Sequence, residues 1–215
     1  MDSLVAALPA EPDADLMLAA GVAYQRDMGA GRVGYGADYL AKVDGYDGTE
    51  IAQRVNAGRC ALLLRHLPAD GSVLDIGAGS GAFVRAARSW GIHCMGYDVM
   101  PGAVVRLMDA GLYAPPDPRP FAAVCLWDVL EHLETPGPLL RSIPAQLFVS
   151  LPVFADLRQI RASRHYRPGE HLYYWTAAGF VAWIAGYGFK LLEQSGHEVA
   201  AGRDSIGAFA FRRED

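Results

Sequence analysis

Cysteine is scarce: Cys60, Cys94 and Cys125 are the only three, widely spaced in 215 residues. No C-x-x-C pair occurs, which removes zinc ribbons and thiol-redox motifs, and an odd count gives no complete disulfide framework. Each thiol sits among apolar neighbours, the setting of a small core residue rather than a nucleophile. Long apolar runs are missing too. None approaches the ~18 residues that cross a bilayer, and Met1-Asp2-Ser3 has no positive n-region of a signal peptide. A cytoplasmic protein without membrane contact is expected. Basic excess is also absent, with 19 Lys and Arg against 24 Asp and Glu and a formal net charge of −5. Binding nucleic acid through its phosphates takes a positive face. The overall balance offers none, and only a local basic patch would keep a nucleic-acid partner open.

What is present suits a folded core. Hydrophobic residues make up 52% of the chain and charged ones 20%, which rules against global disorder. The length fits one α/β domain with an extension. Residues 1–45, rich in Ala and Gly, read as an N-terminal helical extension or lid, and residues 46–215 as the main domain. A helix is expected over Leu16 to Met28, followed by a flexible run from Gly29 to Gly36. Asp47-Gly48-Thr49-Glu50 has the pattern of a capping box and opens a helix whose apolar face uses Ile51, Val55, Leu62 and Leu63, with Gly58 on the same face.

Val73–Ile76 reads as a buried strand, and a glycine turn, Gly77-Ala78-Gly79-Ser80-Gly81, follows at once. Phe83, Ala87 and Trp90 recur at helical spacing. Gly91 to Asp98 forms a second strand ending on an acid, and Pro101 to Asp109 a helix with Pro in its first turn. A short strand is expected between Gly111 and Pro120, then strands at Phe121–Trp127 and Gln146–Leu151. Thr176 to Tyr187 is an amphipathic helix with Gly188 at its C-cap. Strands at 189–194 and 206–212 close the chain with no helix between them. Strands alternating with helices predict an α/β fold: a doubly wound, mostly parallel seven-stranded sheet, helices on both faces, and an antiparallel last strand.

A strand running into a glycine-rich turn and then a helix is a nucleotide-type binding device. Glycines let the backbone approach the ligand, and the helix N-terminus presents free N–H groups. Asp98 ends the next strand at the separation of a ribose-binding acid. Together they point to a cofactor containing adenosine. The same spacing satisfies the dinucleotide fingerprint G-x-G-x-x-G/A, so an NAD-dependent oxidoreductase stays open at this point.

Val73-Leu74-Asp75-Ile76-Gly77-Ala78-Gly79-Ser80-Gly81 resembles motif I of class I methyltransferases. Gly96-Tyr97-Asp98 resembles the second motif of that family, and Leu126-Trp127-Asp128-Val129-Leu130-Glu131-His132-Leu133 the stretch after its fourth strand. The resemblance spans roughly residues 47–215 and is weakest between 111 and 122. It implies S-adenosyl-L-methionine as cofactor. It further implies that Gly77, Ala78, Gly79 and Gly81 line the cofactor's amino-acid and ribose portions, with Asp75 orienting the loop or the cofactor's ammonium. Asp98 would hold the ribose hydroxyls, Val99 would lie beside the adenine, and Trp127, Asp128 and Val129 would border the methionine portion. The chain departs from the family at Phe121-Ala122-Ala123-Val124, where an F-D-x-V spelling is common, and in the proline-rich loop where Asp117 is the only candidate for the adenine amine.

Methyl transfer from a sulfonium needs a positioned acceptor and, for a hydroxyl or amine, a base. His132, His165 and His171 are the candidates. His132 follows the fourth strand; the other two fall in Arg164-His165-Tyr166-Arg167-Pro168-Gly169-Glu170-His171, a region that commonly shapes the family's substrate pocket. Each has a second reading as an ordinary structural or surface histidine. Arg158, Arg161, Arg164 and Arg167, three residues apart, would form one basic stripe on a helical turn. The stripe fits either a small anionic acceptor or a solvated face. Asp128, Glu131 and His132 also resemble the spacing of some metal-assisted O-methyltransferases, including RNA-type enzymes, with a histidine from 165–171 completing a magnesium site. The main reading needs no metal. A non-catalytic binding module is the remaining alternative, and nothing in the residues sets an oligomeric state.

Overall fold

The computed structural model describes residues 16–19, 21–25, 34 and 36–214. Its main sheet is built from β3 (Val73–Ile76), β4 (Cys94–Tyr97), β5 (Ala123–Trp127), β6 (Gln146–Pro152), β8 (Phe189–Ser195) and β9 (Ile206–Arg213). Their spatial order is β4-β3-β5-β6-β9-β8. The first four pair in parallel, whereas β9 runs antiparallel to both β6 and β8. The expected doubly wound sheet with an antiparallel last strand is therefore present, with six strands rather than seven. The missing strand shrinks to one parallel bridge, Gly96 with Tyr113. Pro115, Pro116, Pro118 and Pro120 follow it, and a residue without an N–H cannot extend a ladder.

Period-2 alternation divides the core between the two faces of the sheet. Val73, Ala123, Cys125, Trp127, Ala208 and Ala210 face α2 (Glu50–His66) and α3 (Ala82–Ser89), meeting Cys60, Leu62, Leu63, Phe83, Val84 and Ala87. Leu74, Ile76, Val124, Leu126, Phe209 and Phe211 face the other way. There they pack with Leu140 of α5 (Pro136–Ser142) and with Phe180 and Ile184 of α6 (Ala177–Ala185). The first face is lined mainly with Ala and Cys, and all three thiols are free and buried, as their apolar contexts suggested. Burial pushes the Cys60 thiol up to about 12, which removes it from thiolate chemistry near neutral pH.

Several local readings need correction. Leu16–Met28 is not helical where it is described: β1 (Leu16–Ala19) and β2 (Val22–Gln25) form a hairpin, and β2 pairs antiparallel with β7 (Tyr173–Trp175). Residues 26–28 and most of the Gly29–Gly36 run lie outside the described residues. An unanticipated helix, α1 (Ala37–Asp47), precedes α2. The cap of α2 is Thr49, whose hydroxyl accepts the Ala52 N–H; Asp47 is the last residue of α1 rather than part of a capping box. The C-cap of α6 is Gly186, not Gly188. A one-turn helix, α7 (His197–Ala200), also interrupts the connection between β8 and β9. α4 (Pro101–Asp109) starts on Pro, as expected.

The hairpin docks through a glycine pair. A Cβ at Gly179 on α6 would fall on the backbone carbonyl of Gly21, so the two backbone segments touch only because neither residue carries a side chain. Gly179→Ala is expected to cost about 1–3 kcal/mol through overpacking. Denaturant unfolding measures that cost, and faster amide exchange over Val22–Gln25 locates it; unchanged values for both would refute the contact.

Candidate active site

β3 ends at Ile76 and the backbone turns through three left-handed glycines, Gly77, Gly79 and Gly81, with φ of 83°, 55° and 80°. A Cβ at Gly77 would overlap the side chain of Val129 and one at Gly81 would lie 3.0 Å from Leu107, so the turn is closed to larger residues. The N–H groups of Gly77 and Ala78 donate to the Tyr97 carbonyl at 2.8 and 2.9 Å. Asp98 then pins both loops, accepting the Gly79 N–H on Oδ2 and the Met100 N–H on Oδ1, each at 2.8 Å. The Ala78 methyl fits against Gly96, where a Cβ would sit 2.9 Å away. Val99, next to Asp98, is exposed at the rim. Asp75 lies beneath the turn, and its buried Oδ1 has no hydrogen-bond partner. Burial raises its carboxyl to about 7, opposed by Arg59 and reinforced by Asp98.

A buried charge network closes the floor beside β5. Trp127 ends the strand, and Asp128 follows with a positive φ of 58°, its N–H bonded to the Ser150 carbonyl at 2.8 Å. Asp128 Oδ2 receives Arg59 at 3.1 Å and Arg203 at 2.9 Å, while its Oδ1 is buried without a partner. Glu198 on α7 receives the same two arginines at 2.8 and 2.7 Å. Arg59 also donates to Ser150 Oγ at 3.0 Å and stands 4.8 Å over the Trp127 ring. Burial works to raise the Glu198 carboxyl, but Arg59, His197 and Arg203 outweigh it and hold it below its ordinary value. Sequence reasoning missed Arg59, Glu198 and Arg203. The available signal was Arg59 itself, a cation on the apolar face of α2 between Val55 and Leu62.

The histidines divide. Glu131 and His132 lie on a single 3-10 turn, Leu130–His132, and His171 comes from the loop before β7. The Leu172 N–H donates to the Glu131 carbonyl at 2.7 Å, joining the two segments. The His132 and His171 rings meet edge-on with centroids 4.8 Å apart. His132 Nδ1 bonds the Glu170 carbonyl at 2.9 Å and His171 Nδ1 the His165 carbonyl at 3.0 Å. Burial, then the Asp128 charge, drives the Glu131 carboxyl well above its ordinary value. Burial lowers His132, and burial with His132 beside it lowers His171 to about 3. His165 stands apart, with Nε2 on the Asp204 carbonyl at 3.0 Å.

The arginine stripe does not form. The 3-10 helix stops at Ala162, and each guanidinium has a local contact: Arg158 with Asp156, Arg161 over Tyr166, Arg164 with the Asp204 carbonyl and Arg167 with Glu170. Above the glycine turn lies α1. Asp47 bonds Ser80, Arg106 bonds Asp44 at 2.6 Å, and Leu40 packs with Met100 and Ala103. Tyr39 comes within electrostatic reach of Glu170, Asp128 and Glu131. A pocket of about 380 Å³ lies at the opposite edge of the sheet, between the loops preceding β3 and β4, away from these groups.

The comparisons agree with this geometry. Residues 49–194 match a family described as a methyltransferase domain. That is more than half of the chain, which belongs to this family. The oxidoreductase reading of the glycine turn falls away with that assignment. A search of curated proteins finds no match. Among solved structures the fold is shared with magnesium protoporphyrin IX methyltransferase from Synechocystis PCC 6803 with bound S-adenosylhomocysteine. That pair has 17% identity and a TM-score of 0.57, covering 86% of this chain and 90% of that one. A methyltransferase from Mesorhizobium loti described as dependent on S-adenosylmethionine shows 18% identity and a TM-score of 0.53, with coverage of 71% and 96%. A glycopeptide N-methyltransferase complexed with S-adenosylmethionine shows 13% identity and a TM-score of 0.54, with coverage of 74% and 87%. Among the described residues no helix is long and apolar enough to cross a membrane.

The network predicts an acid-sensitive stability. Glu198 is fully buried, so Arg59→Ala should cost about 3–5 kcal/mol by leaving its charge half-compensated. Because the folded-state value lies below the ordinary 4.5, the contribution is complete above that pH and is lost as pH falls below it. Denaturation of wild type and Arg59→Ala across acid pH should show the gap closing; a constant gap would contradict the assignment.

Proposed function

We propose that this protein transfers the methyl group of S-adenosyl-L-methionine to an oxygen or nitrogen of a small acceptor bound at the carboxyl edge of the sheet. The observation that carries the reading is Asp98, fixed by the N–H groups of Gly79 and Met100 beside a turn of three left-handed glycines. Each carboxylate oxygen keeps a lone pair for a ribose hydroxyl. The partnerless Oδ1 atoms of Asp75 and Asp128 fit the polar amino-acid end of the cofactor. Gly77, Ala78, Gly79 and Gly81 supply the cradle, Trp127, Asp128 and Val129 its floor, and Val99 the adenine rim. When bound, the sulfonium supplies a methyl group already activated by positive charge, so the chain's own task is orientation and exclusion of water.

The acceptor faces the Glu131–His132–His171 cluster, which follows β5 at the same edge as the glycine turn. His132 and His171 are assigned to it; His165, tied to Asp204, shapes the loop that carries His171. Of the lid expected over residues 1–45, α1 is the part that lies over the glycine turn. An anionic acceptor loses its argument with the dispersal of the arginines.

S-adenosylhomocysteine should stabilise the protein by about 2.7 kcal/mol at a hundredfold excess over Kd, and NAD should not. Asp98→Ala should remove the thermal shift while leaving the fold intact. Stabilisation by NAD alone would sink the reading. Since Asp75 titrates near 7 when the site is free, an ammonium beside it favours the carboxylate. Affinity for S-adenosylhomocysteine should therefore rise with pH through 7, and Asp75→Asn should flatten that rise in calorimetric titrations.

A further inference from the structure

The geometry points to a divalent transition-metal site formed by Glu131, His132 and His171. Among the described residues these three bring one ligand atom each to within 4.8 Å of one another. Two observations indicate a cation rather than a tight structural cluster. First, Glu131 Oε2 is buried without a hydrogen-bond partner, although the residue is only 1% exposed. A buried carboxylate oxygen left empty is costly unless something occupies it. Second, both imidazoles turn Nδ1 to a backbone carbonyl, His132 to Glu170 and His171 to His165. A carbonyl only accepts, so at His171 Nδ1 carries the proton and the Nε2 lone pair is left for a ligand, as in a metal-binding histidine whose other nitrogen is anchored. His132 Nε2 already stands 4.0 Å from Glu131 Oε1.

Metal–ligand bonds of ~2.1 Å place donors roughly 3–4 Å apart. Side-chain movements of about an ångström therefore gather the three. Two imidazole nitrogens and one carboxylate oxygen select borderline cations such as Zn²⁺, Co²⁺ or Fe²⁺ over Mg²⁺ or Ca²⁺, which take mostly oxygen. Asp128 is not among the ligand atoms gathered here, and Arg59 and Arg203 hold its Oδ2. This differs from the magnesium set that the sequence spacing suggested. Three protein ligands leave coordination positions open, and, resting on the methyltransferase reading, those positions favour an acceptor that presents an oxygen. His132 and His171 then serve as ligands rather than bases.

The test uses the full chain stripped with a chelator. Titration with Co²⁺ should give visible d–d absorption saturating at one equivalent, and Zn²⁺ should displace it. Glu131→Gln and His171→Gln should each weaken Co²⁺ binding on the order of a hundredfold, with the S-adenosylhomocysteine thermal shift retained. His132→Gln provides a third variant should either of the others fail to fold. No saturable Co²⁺ spectrum in the wild-type chain, or equal binding in all folded variants, overturns the site. Retention of the S-adenosylhomocysteine shift alongside that result would sink the metal and keep the methyltransferase reading. Metal binding without any shift would do the reverse.

Discussion

A guanidinium buried at the carboxyl edge of the sheet organises everything around it. Arg59 cannot leave water without partners, and the fold answers with Glu198, Asp128, Ser150 and the face of Trp127. These partners come from α7, β6, and the end of β5 with the turn that follows it, so one cation draws three separated segments to one place. Gly58 shows how closely they approach. A Cβ there would strike the His197 ring, so α7 can lie on α2 only where the helix lacks a side chain. The strained φ of Asp128 has the same origin, because its carboxylate must turn back toward two arginines while its N–H stays on the Ser150 carbonyl.

That arrangement leaves two carboxylates at this edge of the sheet differently placed. Asp128 spends one oxygen on the arginines and keeps the other empty, whereas Asp98 uses both oxygens to brace loops. Asp75, beneath the turn, is buried and drawn toward neutrality. The turn is thus organised before any ligand arrives, and its remaining polar capacity is concentrated in a few inward-facing atoms.

Much of the frame was legible in the sequence because it is local. Val73–Ile76, the glycine spacing, Asp98 and the apolar runs of β5, β6 and β9 declare themselves through period and turn chemistry. The hairpin was misread because Leu16–Gln25 has no strong period of its own; its strand state depends on pairing with Tyr173–Trp175, about 150 residues away. The seventh strand was over-read because four prolines outweigh a short apolar stretch. The arginine spacing suggested a helix face, but the helix ends after Ala162 and local carboxylates, carbonyls and a ring take up the guanidiniums. Within the site, the glycine cradle could be read from spacing alone. The meeting of Glu131 and His132 with His171 could be suspected but not fixed, and the Glu198–Arg203 half of the charge network left no trace, since charged residues in a turn look solvated until the tertiary structure buries them.

The face of the sheet under α2 is surfaced mainly by alanine and cysteine, while its opposite carries phenylalanine, leucine and isoleucine. Small residues let a helix ride low. Cys60, the residue after Arg59, and Cys125, two before Trp127, both belong to this thin layer. The thickness of the hydrocarbon layer is therefore the gauge that sets how far a guanidinium on α2 reaches over the strand ends. A methyl group added beneath the helix would be felt as a misplaced charge several residues away. Sequence drift in this face is constrained by electrostatic registration as well as by packing, which gives these inert thiols a reason to stay small.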